Sequence, residues 1–312
     1  MNIKNPIYFS SWSIRRQIES KKISITEFFE FACENDFQGI EIVDRHLESL
    51  EQDYIKSLIE SKKRAGIRIN LAVSNDFTVE RPDALQKQIN YVLNMIRLAE
   101  QLESKIVRIY LGGADNRFEK FIKKILTRNN DSTALQSIKR QKSVVSKLLG
   151  FKLIRSFHTY LRKHQKPKLL TDDKVKDRIF MAFDSVLPLA EKCSINLAIE
   201  NHWGLSTLSE NILKVIHYFD SPYLGSCPDF GNVTIHQDRY EEFAKLLPFA
   251  KEVHAKSHQF TVEGEEAVID YARYMALIKS SNFQGPITVE YEGEDDQIKA
   301  SFMNRDLICK YL

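Results

Sequence analysis

An alternation constrains this chain more than any other feature. Apolar runs of five to seven residues recur along it, at Ile7–Ser11, Gly39–Val43, Ile67–Val73, Ile106–Leu111, Ile195–Glu200, Leu224–Asp229, Glu252–Lys256 and Pro286–Tyr291. Longer stretches with helical patterning follow them, at Ser24–Glu34, Glu51–Ala65, Asp83–Leu102, Val175–Cys193, Ser206–Phe219, Tyr240–Phe249, Asp270–Ser280 and Asp295–Tyr311. In Asp83–Leu102, for example, Leu85, Ile89, Val92, Leu93, Ile96 and Leu102 keep close to a 3.6-residue period. Strands that alternate with helices pair in parallel, because each helix carries the chain back to the starting edge of the sheet. Eight such units predict an α/β fold, a single TIM (β/α)8 barrel domain over residues 1–312. An open doubly wound sheet is the competing architecture, but no G-x-G-x-x-G follows the first strand to support it.

Composition agrees with a single large core, at 43% hydrophobic and 28% charged residues. The net charge of +3 gives no bulk argument for nucleic acid. No run approaches the roughly 20 apolar residues of a membrane helix. Cys33, Cys193, Cys227 and Cys309 form no C-x-x-C pair, and the N-terminal MNIKNPIYFSSW has no apolar signal core. Together these predict a cytoplasmic protein with reduced thiols.

One segment breaks the even repeat. Residues 113–172 carry 15 Lys and Arg against four acids, about +11, which leaves about −8 for the remainder. Apolar residues recur inside this basic insertion (Phe118, Phe121, Ile122, Ile125; Val144, Val145, Leu148, Leu149), so it is expected to be helical and partly docked. It leaves the barrel after the fourth strand, on the face where barrel active sites lie. A solvated charged face is the plainest reading; a lid, an oligomer contact or a phosphate-attracting rim are the others.

The late strands end in polar residues that an apolar strand does not need. Glu200 and His202 follow Leu197–Ile199, Asp229 ends the sixth run, His254 and Lys256 share the seventh, and Glu290 with Glu292 closes the eighth. Residues two apart in a strand share a face, so Glu200 and His202 point together, as do His254 and Lys256. Glu200, Asp229, His254 and Glu290 are separated by 29, 25 and 36 residues, each gap suiting one strand–helix unit. They would ring the top of the barrel on successive strands. Three carboxylates and one imidazole form a hard donor set, suited to Mn²⁺ or Mg²⁺, with Co²⁺ or Zn²⁺ as alternatives. Taken singly, each residue is better explained as a salt-bridge partner, a cap or a structural histidine; the four together point to a metal site. Trp12 and Trp203 are candidates for an apolar wall of the pocket, and Phe77 for core packing.

These residues resemble the sugar phosphate isomerase/epimerase family, the xylose isomerase-like TIM barrels. The resemblance lies in LAIENHWG (197–204), CPDFGN (227–232), EVHAKSH (252–258) and ITVEYEGE (287–294), and more loosely in FQGIEIVDRH and IVRIYLGG. It spans nearly the whole chain except the insertion. It implies one divalent metal held by Glu200, Asp229, His254 and Glu290, with Glu200 and Glu290 also exchanging protons with the substrate. It further implies substrate contacts from His202 and Lys256, and from Glu41 unless that residue serves a barrel-interior ion pair. Many sugar epimerases of the family carry His three residues after the strand-six Asp, where this chain has Asn232.

The implied activity is isomerisation or epimerisation of a sugar, sugar phosphate or related polyol ketone, by proton transfer through an enediolate. A dehydratase of the inosose or dehydroshikimate type is the alternative. An endonuclease IV-like repair enzyme is a lower reading, since those barrels hold three zinc ions with many more histidines; a non-catalytic binder is another. The expected partner is a small carbohydrate, without membrane or nucleic acid, and a homo-oligomer is common in the family.

Overall fold

The protein is described from a computed structural model covering residues 5–113 and 163–312. Of the predicted insertion at 113–172, residues 114–162 lie outside the described residues, and so do its expected helices and docking. Eight strands form one sheet: β1 Ile7–Ser10, β2 Gly39–Val43, β3 Arg68–Ala72, β4 Ile106–Ile109, β5 Asn196–Glu200, β6 Leu224–Cys227, β7 Val253–Ser257 and β8 Ile287–Tyr291. Their order is β6-β5-β4-β3-β2-β1-β8-β7, and every pairing is parallel. The two end strands close the ring through bridges between Ser226 and Ala250 and between Asp229 and His254. Backbone hydrogen bonds hold that closure: His254 N–H to Pro228 O at 3.0 Å, Phe230 N–H to His254 O at 3.1 Å and Lys251 N–H to Ser226 O at 2.9 Å. Closing the barrel there sets Asp229 beside His254.

The described helices are α1 Arg15–Glu19, α2 Ile25–Glu34, α3 Gln52–Ala65, α4 Pro82–Gln101, α5 Asp173–Lys192, α6 Ser209–Phe219, α7 Arg239–Leu246, α8 Tyr271–Ser280 and α9 Gln297–Tyr311. Local chemistry sets their ends. Ser24 and Glu27 form a reciprocal capping box on α2, and Asp172, Asp238, Asp270 and Asp296 accept first-turn N–H groups of α5, α7, α8 and α9. Gly66 takes φ 65° after α3, a left-handed exit that a residue without Cβ adopts freely. Helix α1 was not anticipated; at five residues it is too short to display a period.

Strand alternation divides the core in two. Leu197 and Ile199 pack outward into the large cluster shared with the helices, while Ala198 packs inward with Ile106 and Cys227. By the same parity Glu200 points inward. The closure tolerates little added volume: a Cβ on Gly225 of β6 would lie 2.3 Å from Phe249 O and 2.7 Å from Lys251 Cε. Gly225→Ala is therefore expected to destabilise the fold by about 1–3 kcal/mol, read as a lower urea midpoint at unchanged slope.

Candidate active site

The last four strands place their polar residues at one end of the barrel. Glu200 ends β5, Asp229 lies just beyond β6, His254 is in β7 and Glu290 in β8. One ligand atom from each lies within 4.8 Å of those of the others, and all four residues are buried. In each, one atom is sealed from solvent and makes no hydrogen bond: Glu200 Oε2, Asp229 Oδ2, His254 Nδ1 and Glu290 Oε2.

Three of the four are fixed through their other polar atom. Asn232 Nδ2 donates to Glu200 Oε1 at 2.8 Å. The backbone N–H groups of Gly231 and Asn232 donate to Asp229 Oδ1 at 2.7 and 2.8 Å, and Asn201 Oδ1 accepts the Asp229 N–H at 2.5 Å. His254 Nε2 lies 2.9 Å from Glu41 Oε2, and Ser10 Oγ donates to Glu41 Oε1 at 2.8 Å. Held at Nε2 by a carboxylate, the ring turns Nδ1 toward Glu200 and Glu290, the arrangement that orients a ligating histidine once a metal displaces the Nδ1 proton.

Glu41 is completely buried and is not among the residues lining the cavity. Its Oε2 lies 2.9 Å from His254 Nε2 and 3.9 Å from Arg108 Nε. Burial raises its pKa, but His254 and Arg108 outweigh that and hold its carboxyl at about 2. His202 and Lys256 both line the cavity. Lys256 Nζ lies 3.0 Å from Glu290 Oε2, 3.5 Å from Asp229 Oδ2 and 3.7 Å from Glu292 Oε2, and donates to Asn232 Oδ1 at 2.9 Å.

Arg108 escaped the sequence reading. It points inward from β4, 97% buried, with Nε 3.0 Å from Glu200 Oε2 and 3.9 Å from Glu41 Oε2, and its guanidinium lies 4.5 Å from the centre of the Tyr110 ring. The available signal was a charged residue at an inward position of the run Ile106–Leu111. Asn232, noted only as a departure from a histidine, turns out to tie Glu200 to Lys256.

Charge does not balance here. Glu41, Glu200, Asp229, Glu290 and Glu292 face Arg108, Lys256 and His254, whose pKa burial lowers but Cys227 and Glu41 together raise well above its ordinary value. Burial raises the pKa of Glu200, and Glu290 adds to that against Arg108 and His254; burial, then Glu290 and Glu200, push Asp229 well above its ordinary value. A divalent cation would relieve this crowding, and four convergent donors of hard oxygen and imidazole type, none with a hydrogen bond, fit one.

Above the floor opens a cavity of about 700 Å³, walled in part by Trp12, Tyr110, His202 and Trp203. The His202 ring lies 4.5 Å from that of Tyr110. Phe77, by contrast, is wholly buried against Phe183, as core. A second depression, about 930 Å³, lies beside it between the loop after β3, residues 165–172 and the loop after β5. It is larger, but no floor residue reaches it, so the chemistry belongs to the first.

A family profile described as "xylose isomerase-like TIM barrel" matches residues 29–305. The chain belongs to this family. Solved structures with the family's fold include a D-tagatose 3-epimerase-like protein, 17% identical with TM-score 0.67 over 98% of this chain and 98% of that one. D-allulose 3-epimerase from Methylomonas sp. is 13% identical, with TM-score 0.67 over 99% and 98% of the two chains. The probable 3-DHS dehydratase of Bacillus anthracis is 16% identical, with TM-score 0.61 over 97% and 98%. At such identities the likeness is one of fold. Comparison with curated protein sequences gives no match. Among the described residues, no helix is long and apolar enough to cross a membrane.

Proposed function

We propose that this chain is a divalent-metal-dependent isomerase or epimerase of a sugar, sugar phosphate or related polyol ketone. The observation that carries the reading is the set of four buried donor atoms, none with a hydrogen bond and two of them facing Arg108 or Lys256 at 3.0 Å, that converge from consecutive strands below an aromatic-walled cavity. Glu200, Asp229, His254 and Glu290 would hold the metal, which supplies Lewis-acid polarisation of a carbonyl and so acidifies the neighbouring C–H.

The chain's own residues do the rest. Glu200 on β5 and Glu290 on β8 reach the floor from different strands, so one can take a proton and the other return one. Loss of the proton beside the carbonyl leaves an enediolate. Its return on the opposite face epimerises, and its return to the adjacent carbon isomerises. Asn232 holds Glu200 in place and braces Lys256, whose ammonium can hydrogen-bond a substrate oxygen as charge develops on it. Trp12, Trp203 and His202 give the sugar ring flat faces to lie against and help keep water from the intermediate.

A dehydratase is the second reading. Lys256, 3.0 Å from Glu290, is a donor that could give a proton to a departing hydroxyl. One assay separates the two. Purified protein with Mn²⁺ in D₂O is incubated with D-fructose, D-allulose, their phosphates and 3-dehydroshikimate, and followed by NMR. Deuterium entry with a changed stereocentre or a shifted carbonyl is expected for one of the ketoses. Loss of water from the substrate would select the dehydratase, and inertness of every compound would refute both readings.

A further inference from the structure

The charges on the cavity floor are engaged with one another; toward its mouth, Arg45 and Lys163 have no acidic partner among the described residues. Arg45 lies in the turn Asp44–His46 after β2, its guanidinium 4.9 Å from the centre of the Trp12 ring. Neighbouring Asp44 is taken up by the N–H of Arg45, by Ser74 and by Tyr91, and among the described residues no carboxylate pairs with the Arg45 guanidinium. Lys163 lines the same cavity and likewise has no acidic partner among the described residues. Arg15 brings a second guanidinium within 4.9 Å of the Trp12 ring, held by the carbonyls of Trp12 at 3.0 Å and Tyr291 at 2.9 Å. Against these cations stand Asp76, whose Oδ1 accepts from Thr78 and Gly113, and Glu19, which is exposed.

Two imidazoles lie among these charges. Burial and then Arg45 lower the pKa of His46 to about 4, with Asp44 opposing. Burial also lowers that of His258, and Lys256 and Lys163 add to it against Glu292. The ligand that best complements such a mouth brings its own negative charge.

Building on the reading of this cavity as a carbohydrate site, we propose that its substrate carries an anionic group, a phosphate or a carboxylate, held at the mouth by Arg45 and Lys163 while the polyol end reaches the floor. A guanidinium forks onto two oxygens of either group, and a lysine adds a point charge. The Trp12 ring restrains Arg45 beforehand, which lowers the ordering cost of binding.

Intrinsic fluorescence tests this without requiring turnover, because both tryptophans of the chain, Trp12 and Trp203, line the cavity. The full-length protein is titrated with D-fructose, D-fructose 6-phosphate, D-gluconate and inorganic phosphate. At least one of D-fructose 6-phosphate and D-gluconate is expected to bind tenfold or more tightly than D-fructose, and the tighter of the two identifies phosphate or carboxylate as the source. Inorganic phosphate should compete with a phosphorylated ligand. The double substitution Arg45→Gln, Lys163→Gln should erase the preference; each single variant should lose part of it, which keeps the test intact if the double variant folds poorly. The proposal is overturned if D-fructose binds as tightly as the anionic sugars, if no anionic probe changes the fluorescence, or if folded variants keep the preference. Anion-selective binding without turnover would refute the reaction assigned above and leave this inference standing. Turnover of a neutral ketose with no anion preference would do the reverse.

Discussion

Glu200→Gln and Glu290→Gln are each expected to lower turnover by about 10²–10⁴-fold, the contribution of a positioned acid–base group, with the fold retained. Glutamine keeps the size of the side chain and, at position 200, an oxygen able to accept from Asn232 Nδ2. What it removes is the capacity to carry a proton at that pH. The substitution also puts an amide where Arg108 or Lys256 now meets a carboxylate at 3.0 Å, so circular dichroism and bound-metal analysis should accompany the kinetics. A variant that keeps its metal and its fold but loses exchange of substrate hydrogen with solvent deuterium has lost a proton carrier. Turnover within tenfold of the parent in both variants would rule out the two-glutamate mechanism.

Much of the architecture was legible because it rests on local pattern. Apolar runs located the strands to within two residues at either end, and β2 without error at both ends, since a strand covered on both faces must be apolar along its length. Parity then turned Glu200 inward with Ala198 and left Ile199 facing the helices. Parity also placed His254 and Lys256 on one side, and the carboxylates and the imidazole that the strand ends had suggested cluster there, with Glu290 and Lys256 lining the cavity above. Other features depend on long-range pairing, which no window of sequence displays. Arg108 lies 67 residues from Glu41 and 92 from Glu200, and only the parallel pairing of β2 through β5 makes them neighbours. Nothing near Glu41 in the sequence shows that it meets His254, 213 residues on. Asn232 was visible as a substitution, but its two hydrogen bonds required β5 and β7 to converge on the loop after β6.

Metal binding should raise the melting temperature of this protein, and Asp229→Asn should abolish that rise. A ligand that binds only the native state adds about 2.7 kcal/mol at a hundredfold excess over its Kd. At roughly 2–4 °C per kcal/mol for a chain of this order of size, Mn²⁺ or Mg²⁺ should shift Tm upward by about 5–10 °C, and a chelator should reverse it. Asp229 is the residue to change because no proton transfer is assigned to it. Asparagine can still accept the N–H groups of Gly231 and Asn232 through its oxygen, while an amide NH₂ replaces the unbonded Oδ2. The metal-free variant has a second expected property. Burial and the neighbouring glutamates raise the pKa of Asp229 against the pull of Lys256, so holding this group in the fold, protonated or ionised, costs stability at every pH above the unfolded value near 3.9. Removing that charge should leave metal-free Asp229→Asn at least as stable as the metal-free parent near pH 7, even as it stops responding to metal. An equal metal-induced shift in parent and variant would place the cation elsewhere. No shift in the parent with Mn²⁺, Mg²⁺, Co²⁺ or Zn²⁺ would mean that Arg108 and Lys256 already balance the floor, so that the four donors serve an ion-pair network.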